Sequence, residues 1–119
     1  MIHHVAVDVP SGELGAAVAF WALLGFEEVA PPDALRGAWR WVERAGAQIH
    51  LRGVDQTPSS GGWHVAVIVP DHTAAVERLR AAGFAYTPGS EHWGEPRGKT
   101  TAPGGTTVEL MAAPPPPTC

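Results

Sequence analysis

The chain has 119 residues, a formal charge of −4 and eight lysines and arginines that form no basic run. A chain of this length forms one domain that buries roughly two-thirds of its unfolded surface. Its charge gives no surface for nucleic acid or for an anionic membrane, so we expect a small-molecule partner. The single cysteine, Cys119, excludes an internal disulfide and a cysteine-based zinc site.

The longest apolar stretch, residues 16–24, is too short to span a bilayer. The N-terminus also lacks the basic segment and the cleavage site of a signal peptide. We therefore expect a cytoplasmic protein without a membrane partner.

The first half of the chain predicts the element order βαβββ. Residues 2–9 alternate and are rich in β-branched side chains, and residues 13–24 have apolar residues at helical spacing. Gly25 then suits the C-terminal cap of a helix. Three further strands are predicted at 26–30, 38–43 and 47–52, the last two forming a hairpin.

The second half repeats this order. The segment HHVAVDVP at 3–10 returns as WHVAVIVP at 63–70. Matched residues lie 60, 58 and 59 positions apart: His4 with His64, Gly25 with Gly83, and Ile49 with Val108. The predicted elements are a strand at 63–69, a helix at 73–82, and strands at 84–87, 98–102 and 106–111.

These patterns predict one domain over residues 1–112. It contains a βαβββ unit at 2–52 and a second at 63–111, joined by a linker at 53–62 whose composition is typical of flexible segments. Residues 113–119 form a proline-rich tail.

Strand alternation divides the repeated segments into two faces, because alternate side chains of a strand share a face. Valines at 5, 7 and 9, and at 65, 67 and 69, are predicted to pack in the core. His4 and His64 then point away from it, whereas His3 falls on the valine face as an edge residue. In the last strand of each unit, His50 and Glu109 occupy equivalent positions that also point away from the core.

The four residues His4, His50, His64 and Glu109 converge if the two units pack with these faces together about a pseudo-twofold axis. Three imidazoles and a carboxylate suit a divalent Zn, Ni, Fe, Co or Mn ion. Two histidines and one carboxylate also match the non-haem iron triad. The alternative is that each histidine is an ordinary strand residue at the surface.

Five further residues are candidates for the wall that binds the substrate. They are Trp39, Trp41, Arg52, Arg97 and Lys99. The alternative is that the tryptophans pack in the sheet and the cations lie in solvent.

The pattern HVAVDVP, FWALLGF, IHL, WHVAVIVP, LRAAGF and PGGTTVELM resembles the vicinal oxygen chelate superfamily, over residues 2–111. This superfamily includes glyoxalase I, extradiol dioxygenases, methylmalonyl-CoA epimerase and the fosfomycin- and bleomycin-resistance proteins. The resemblance implies an α+β fold, in which two βαβββ units form a cupped, partly open mixed β-barrel with helices outside. It implies metal ligation by His4, His64 and Glu109, and a substrate chelated through adjacent oxygens.

His50 departs from the pattern of bacterial-type glyoxalase I. The matching position there carries a carboxylate or amide that ligates the metal and takes part in proton transfer. A histidine leaves three roles open: metal ligand, catalytic base with a suitable pKa, or spectator.

Three functions follow from the resemblance. The first is a glyoxalase-like, metal-dependent lyase or isomerase in which Glu109 or His50 transfers the proton. The second is an Fe(II) extradiol-type dioxygenase, and the third is a protein that binds an antibiotic or metabolite without catalysis. The resemblance also implies a homodimer, and it leaves open whether the site lies within one chain or across the interface.

Overall fold

The computed structural model describes residues 2–55 and 64–116. In the first half, the elements are β1 (His4–Pro10), a 3-10 turn (Ser11–Glu13), α1 (Leu14–Leu23), β2 (Glu27–Val29), a second 3-10 turn (Asp33–Leu35), β3 (Trp39–Arg44) and β4 (Ala47–Val54). In the second half, they are β5 (Val65–Ile68), α2 (His72–Ala81), β6 (Thr87–Pro88), β7 (Arg97–Thr101) and β8 (Thr107–Met111). None of the helices in these described ranges is long and apolar enough to cross a membrane.

Each half forms a four-stranded mixed sheet of the same topology. The strand order is β1-β4-β3-β2 in the first sheet and β5-β8-β7-β6 in the second. The first and last strands of each unit pair in parallel, placing Ala6 opposite His50 and Ala66 opposite Glu109. The predicted α+β class, the repeated βαβββ order and the equivalence of His50 and Glu109 are therefore confirmed.

Two compact units divide the chain. Unit 1 comprises residues 1–61 with 102–106, and unit 2 comprises residues 62–101 with 107–119. The turn between β7 and β8 belongs to unit 1, where a Cβ on Gly104 would lie 3.2 Å from Pro10 and 3.3 Å from Val9. This close approach and the positive φ of 93° require glycine at position 104.

The core of unit 1 lies between its sheet and α1. Phe20 and Trp21 of α1 are almost fully buried, as are Val7 and Val9 of β1. Val5, however, is 37% exposed, so the prediction that all three β1 valines pack in the core is wrong at this residue. A ten-residue helix is about 15 Å long and a seven-residue strand about 23 Å, so α1 cannot cover all of β1.

The helix ends follow from local chemistry. The Asp71 side chain accepts a hydrogen bond from the Ala74 amide at 3.2 Å and caps the N-terminus of α2. After α1, Gly25 adopts a φ of 88°, and its amide donates to the Ala22 carbonyl. After α2, Gly83 adopts a φ of 90°.

Several element bounds differ from those predicted. β1 begins at His4 rather than residue 2, α1 follows a 3-10 turn, and β4 continues to Val54, inside the predicted linker. β6 is reduced to Thr87–Pro88 because Phe84 instead donates its amide to the Leu79 carbonyl at the end of α2. The remaining linker positions 56–62, Trp63 and the end of the tail, 117–119, lie outside the described residues.

Candidate metal centre

The parallel pairing of β1 and β4 brings two predicted site residues together in unit 1. His4 pairs with Gln48 and Ala6 with His50, so the two histidines are diagonal neighbours. Their rings stack with centroids 3.9 Å apart and an angle of 12° between planes. His4 is exposed, whereas His50 is only 6% exposed.

Trp41 covers the other face of His50. The two residues are directly opposite in the β3–β4 register, and their rings are parallel at 3.8 Å. Trp39 meets His50 edge-on at 6.5 Å. Both predicted wall tryptophans therefore pack around His50, and the indole Nε1 of Trp41 is buried without a partner among the described residues.

A chain of hydrogen bonds fixes the tautomer of His50. Gln48 donates its Nε2 to Glu43 at 2.9 Å, so its Oε1 faces His50 Nε2 at 2.7 Å. Because an amide oxygen only accepts, His50 must carry its proton on Nε2. The Nδ1 atom then holds the free lone pair, as in a histidine ready to bind a metal.

The same surroundings keep His50 neutral. Burial lowers the pKa of His50 below its usual value of 6.5, and positive charge on His4 or His3 would lower it further. A neutral imidazole is the form that binds a metal or accepts a proton.

His3 also belongs to this cluster, which the sequence analysis did not predict. Its Nδ1 lies 3.0 Å from Nδ1 of His4, and its ring meets the His50 ring edge-on at 6.3 Å. The assignment of His3 to the valine face is wrong because β1 begins only at His4, so strand alternation does not extend to it. The sequence feature that could have indicated a place for His3 in the cluster was its position next to the predicted ligand His4.

The donor atoms of this cluster lie close enough together to be candidate ligands of a divalent transition metal. One ligand atom from each of His3, His4 and His50 lies within 4.8 Å of the others. Metal–nitrogen bonds of about 2.1 Å give donor separations of about 3.0 Å in an octahedron and 3.4 Å in a tetrahedron. Side-chain rotation would have to bring donor atoms that lie within 4.8 Å of one another to these separations.

Unit 2 holds the other two predicted ligands. Glu109 is 6% exposed, and its Oε1 accepts a hydrogen bond from Arg97 Nη2 at 3.0 Å. Arg97 also donates Nη1 to the Ser90 carbonyl at 2.8 Å and lies 5.9 Å from the Trp93 ring centroid. His64 is exposed and immediately precedes β5. The structure thus places His4 with His50 in unit 1, and His64 and Glu109 in unit 2.

The ion pair between Arg97 and Glu109 was missed by the sequence analysis. Its signal was the diagonal relation of the two residues across β7 and β8, in which Lys99 rather than Arg97 is directly opposite Glu109. The predicted wall residue Lys99 is exposed.

Arg52, the remaining predicted wall residue, forms a bidentate pair with Asp8. Its Nε and Nη2 donate to the two carboxylate oxygens at 2.8 and 3.0 Å across the β1–β4 register. These hydrogen bonds raise the pKa of Arg52 above its usual value. Much of its guanidinium is thus engaged within unit 1.

Comparisons with known proteins identify the fold. A family model described as a glyoxalase-like domain matches residues 4–111. No curated protein gives a significant match.

Three solved structures share this fold. A protein from Bacillus anthracis that is assigned to the glyoxalase family is 24% identical, with a TM-score of 0.84 and 93% of each chain covered. A variant of the fosfomycin resistance protein FosX from Listeria monocytogenes, solved with Mn(II), is 16% identical, with a TM-score of 0.76 and coverage of 96% and 93%. A bleomycin resistance determinant encoded on transposon Tn5 is 18% identical, with a TM-score of 0.65 and coverage of 90% and 94%.

Proposed function

The chain belongs to the glyoxalase-like domain family, and on this premise we propose that it is a metal-dependent lyase or isomerase. Its substrate is a small molecule that chelates a divalent metal through adjacent oxygens. The members of this fold that are described above include a fosfomycin resistance protein solved with Mn(II), which supports a metal-dependent chemistry.

The observation that carries the proposal is the environment of His50. A buried, neutral imidazole with its Nε2 proton fixed by Gln48 has one free lone pair, on Nδ1. A spectator histidine needs no such orientation, whereas metal-binding histidines usually donate their other ring nitrogen to a fixed acceptor. The arrangement therefore supports a ligand or base role for His50.

We assign the metal ligands to His4, His64, Glu109 and His50. A bound divalent metal would polarise the substrate oxygens and stabilise the negative charge that develops on them. Proton transfer is assigned to His50 and Glu109, which hold equivalent positions in the two units.

The remaining candidates contribute to the substrate wall. Trp39 and Trp41 hold His50 in place and supply an aromatic surface beside it. Lys99, which is exposed, supplies positive charge for an anionic substrate. Arg52 contributes Nη1, the guanidinium nitrogen that its bidentate pair with Asp8 does not use.

Elemental analysis of protein purified without chelator tests the metal assignment. We expect about one divalent ion per site in the wild type, and loss of the ion in His64→Ala and Glu109→Ala. Full occupancy in both variants contradicts the ligand set. His50→Gln separates the two roles of that residue. If His50 is a metal ligand, the variant loses metal. If His50 is the catalytic base, the variant keeps metal and loses turnover.

The reaction class is tested by proton exchange in D₂O. An enzyme that moves a proton beside a polarised carbonyl incorporates deuterium at that carbon in a panel of α-hydroxy and α-thio carbonyl compounds, as followed by proton NMR. Consumption of O₂ only with Fe²⁺ would identify the dioxygenase instead.

A protein that binds its ligand without catalysis is the second candidate, because the Arg97 pair already neutralises the Glu109 carboxylate. If the chain is such a binding protein, we expect the wild type to be metal-free, to take up no metal when metal is added, and to catalyse no deuterium exchange. Tight binding of a drug or metabolite, with no chemical change in it, would support this candidate.

A further inference from the structure

We propose that His3 is an additional metal ligand, so that unit 1 binds a divalent transition metal through three imidazoles: His3, His4 and His50. This inference rests on the ligand role that the proposed function gives to His50. It differs from the ligand set assigned above in needing neither His64 nor Glu109.

The backbone around His3 is held in place although the residue precedes β1. Its carbonyl accepts a hydrogen bond from the Gln48 amide at 3.0 Å, which joins it to the edge of the β1–β4 ladder. The ring is then edge-on to His4 at 5.3 Å. Gln48 thus positions two members of the cluster, His3 through its amide and His50 through its side chain.

The nitrogen positions are close to those of a coordinated ion. The 3.0 Å separation between Nδ1 of His3 and Nδ1 of His4 matches an octahedral edge of about 3.0 Å. Because the His4 and His50 rings are parallel, one of them must tilt for both lone pairs to meet at one point. His4 is exposed and has the space to do so, whereas His50 is held between two rings.

The chemistry of the cluster limits the ion that it binds. Three neutral nitrogen donors favour Ni²⁺, Co²⁺ or Zn²⁺, while Mg²⁺ and Ca²⁺ prefer oxygen. The carboxylate of Glu43 accepts a hydrogen bond from Gln48, and through Gln48 it acts as an outer-shell partner that orients His50.

The test uses the full chain in which the unit 2 ligands are removed by the double substitution His64→Ala/Glu109→Gln. Glutamine keeps a hydrogen-bond acceptor for Arg97, which limits the effect on folding. After removal of metal with chelator, Ni²⁺ and Zn²⁺ are titrated separately by calorimetry, and bound metal is counted after dialysis. We expect the double variant to bind about one equivalent of either added ion through the histidine cluster, even though it loses the ion that is purified with the wild type.

His3→Ala in the same background should then weaken binding by more than about 100-fold, because loss of an outer-shell partner alone costs 10- to 100-fold. His92→Ala is the matched control, since His92 is an exposed histidine of unit 2. It should leave the affinity unchanged, and circular dichroism should show that each variant is folded.

Two results would overturn the inference. One is a double variant that is folded but binds neither ion, and the other is a His3→Ala affinity equal to that of His92→Ala. The proposed function survives both results if the wild type binds metal and loses it on removal of His64 or Glu109. Conversely, binding of added metal by the double variant, with loss of this binding in His3→Ala, supports the inference, whereas the metal content of His64→Ala and Glu109→Ala as purified decides the unit 2 ligands separately.

Discussion

Replacement of Arg97 by methionine tests whether the Glu109 carboxylate depends on its ion pair. Methionine keeps much of the aliphatic length of arginine but cannot donate to Glu109 or to the Ser90 carbonyl. The Arg97 and Glu109 side chains are 19% and 8% exposed, so the carboxylate that remains would be mostly removed from water. The substitution is therefore expected to destabilise the fold.

The size of the effect follows from this burial. Breaking a buried ion pair by removing one partner costs about 3 to 5 kcal/mol, and the partial exposure of Arg97 places the value near 3 kcal/mol. At a urea slope of about 1.5 kcal/mol/M, the unfolding midpoint moves down by about 2 M. This is a large share of the about 5 to 15 kcal/mol that holds a domain together.

Urea unfolding followed by tryptophan fluorescence measures the change. The control is Arg40→Met, because Arg40 makes a shorter, bidentate pair with Glu28, at 2.7 and 2.8 Å, in which the side chains are 39% and 42% exposed. Removing an exposed pair should cost less than about 1 kcal/mol. A free energy of unfolding for Arg97→Met within 1 kcal/mol of wild type would refute the argument from burial.

The same variant tests whether Glu109 binds metal. Without Arg97, a ligand carboxylate is free to pair with the ion, so excess Zn²⁺ should stabilise Arg97→Met more than wild type. Zinc at about 100 times its dissociation constant would restore about 2.7 kcal/mol. Adding Glu109→Gln should abolish this gain and also recover part of the lost stability, because no charge then remains buried. An equal response to zinc in Arg97→Met and wild type would remove Glu109 from the ligand set.

Three further predictions concern other parts of the chain. Gln48→Leu should weaken metal binding by about 10- to 100-fold and shift the His50 proton between its ring nitrogens; unchanged imidazole ¹⁵N shifts would contradict the hydrogen-bond chain. The pKa of His50 is lower in the folded protein than in the unfolded chain, so at acidic pH the unfolded chain binds more protons at this residue. The free energy of unfolding should therefore rise with pH up to about 6.5 and then level off. His50→Gln should flatten this rise in unfolding free energies measured across that range. Gly98→Ala should cost about 1 to 3 kcal/mol because its Cβ would overlap the Tyr86 ring, whereas Gly12→Ala meets no atom within 4 Å and should be neutral in thermal unfolding.

The sequence was sufficient to predict the topology because the repeat is carried by strand patterns. Two copies of the HVAV segment lie at nearly equal spacing from their final strands, 46 positions from His4 to His50 and 45 from His64 to Glu109, and therefore imply the same pairing in each half. The parallel ladders β1–β4 and β5–β8 confirm this implication. The equivalence of His50 and Glu109 followed from it, since a shared register places equivalent residues opposite equivalent partners.

Side-chain partners could not be predicted in the same way. Strand alternation assigns a face to each residue, but it does not say which diagonal neighbour reaches across a ladder. Lys99 is directly opposite Glu109, but the guanidinium of Arg97 reaches the carboxylate diagonally and forms the hydrogen bond. Which of the two cations does so depends on their side-chain rotamers, which the sequence does not give. His3 was assigned to the wrong face for a related reason, since the alternation of side chains was extended to a residue that precedes the first residue of β1.

The residues around position 50 in unit 1 differ from those around the equivalent position 109 in unit 2. Position 50 faces Trp41 across its ladder, and the equivalent position 109 faces Lys99. The diagonal neighbours differ in the same sense, with Trp39 beside His50 and Arg97 beside Glu109.

Each set is chemically consistent, because aromatic faces stack on an imidazole, whereas cations neutralise a carboxylate. A substitution that changes the charge at position 50 or 109 alone would place the new side chain among neighbours that do not stabilise it. His50→Glu should therefore destabilise the fold by more than His50→Gln, since it adds a buried charge beside Trp41 without an arginine partner of the kind that Glu109 has. Urea unfolding of the two variants would measure this difference, and equal midpoints would show that the neighbours of position 50 place no constraint on its charge.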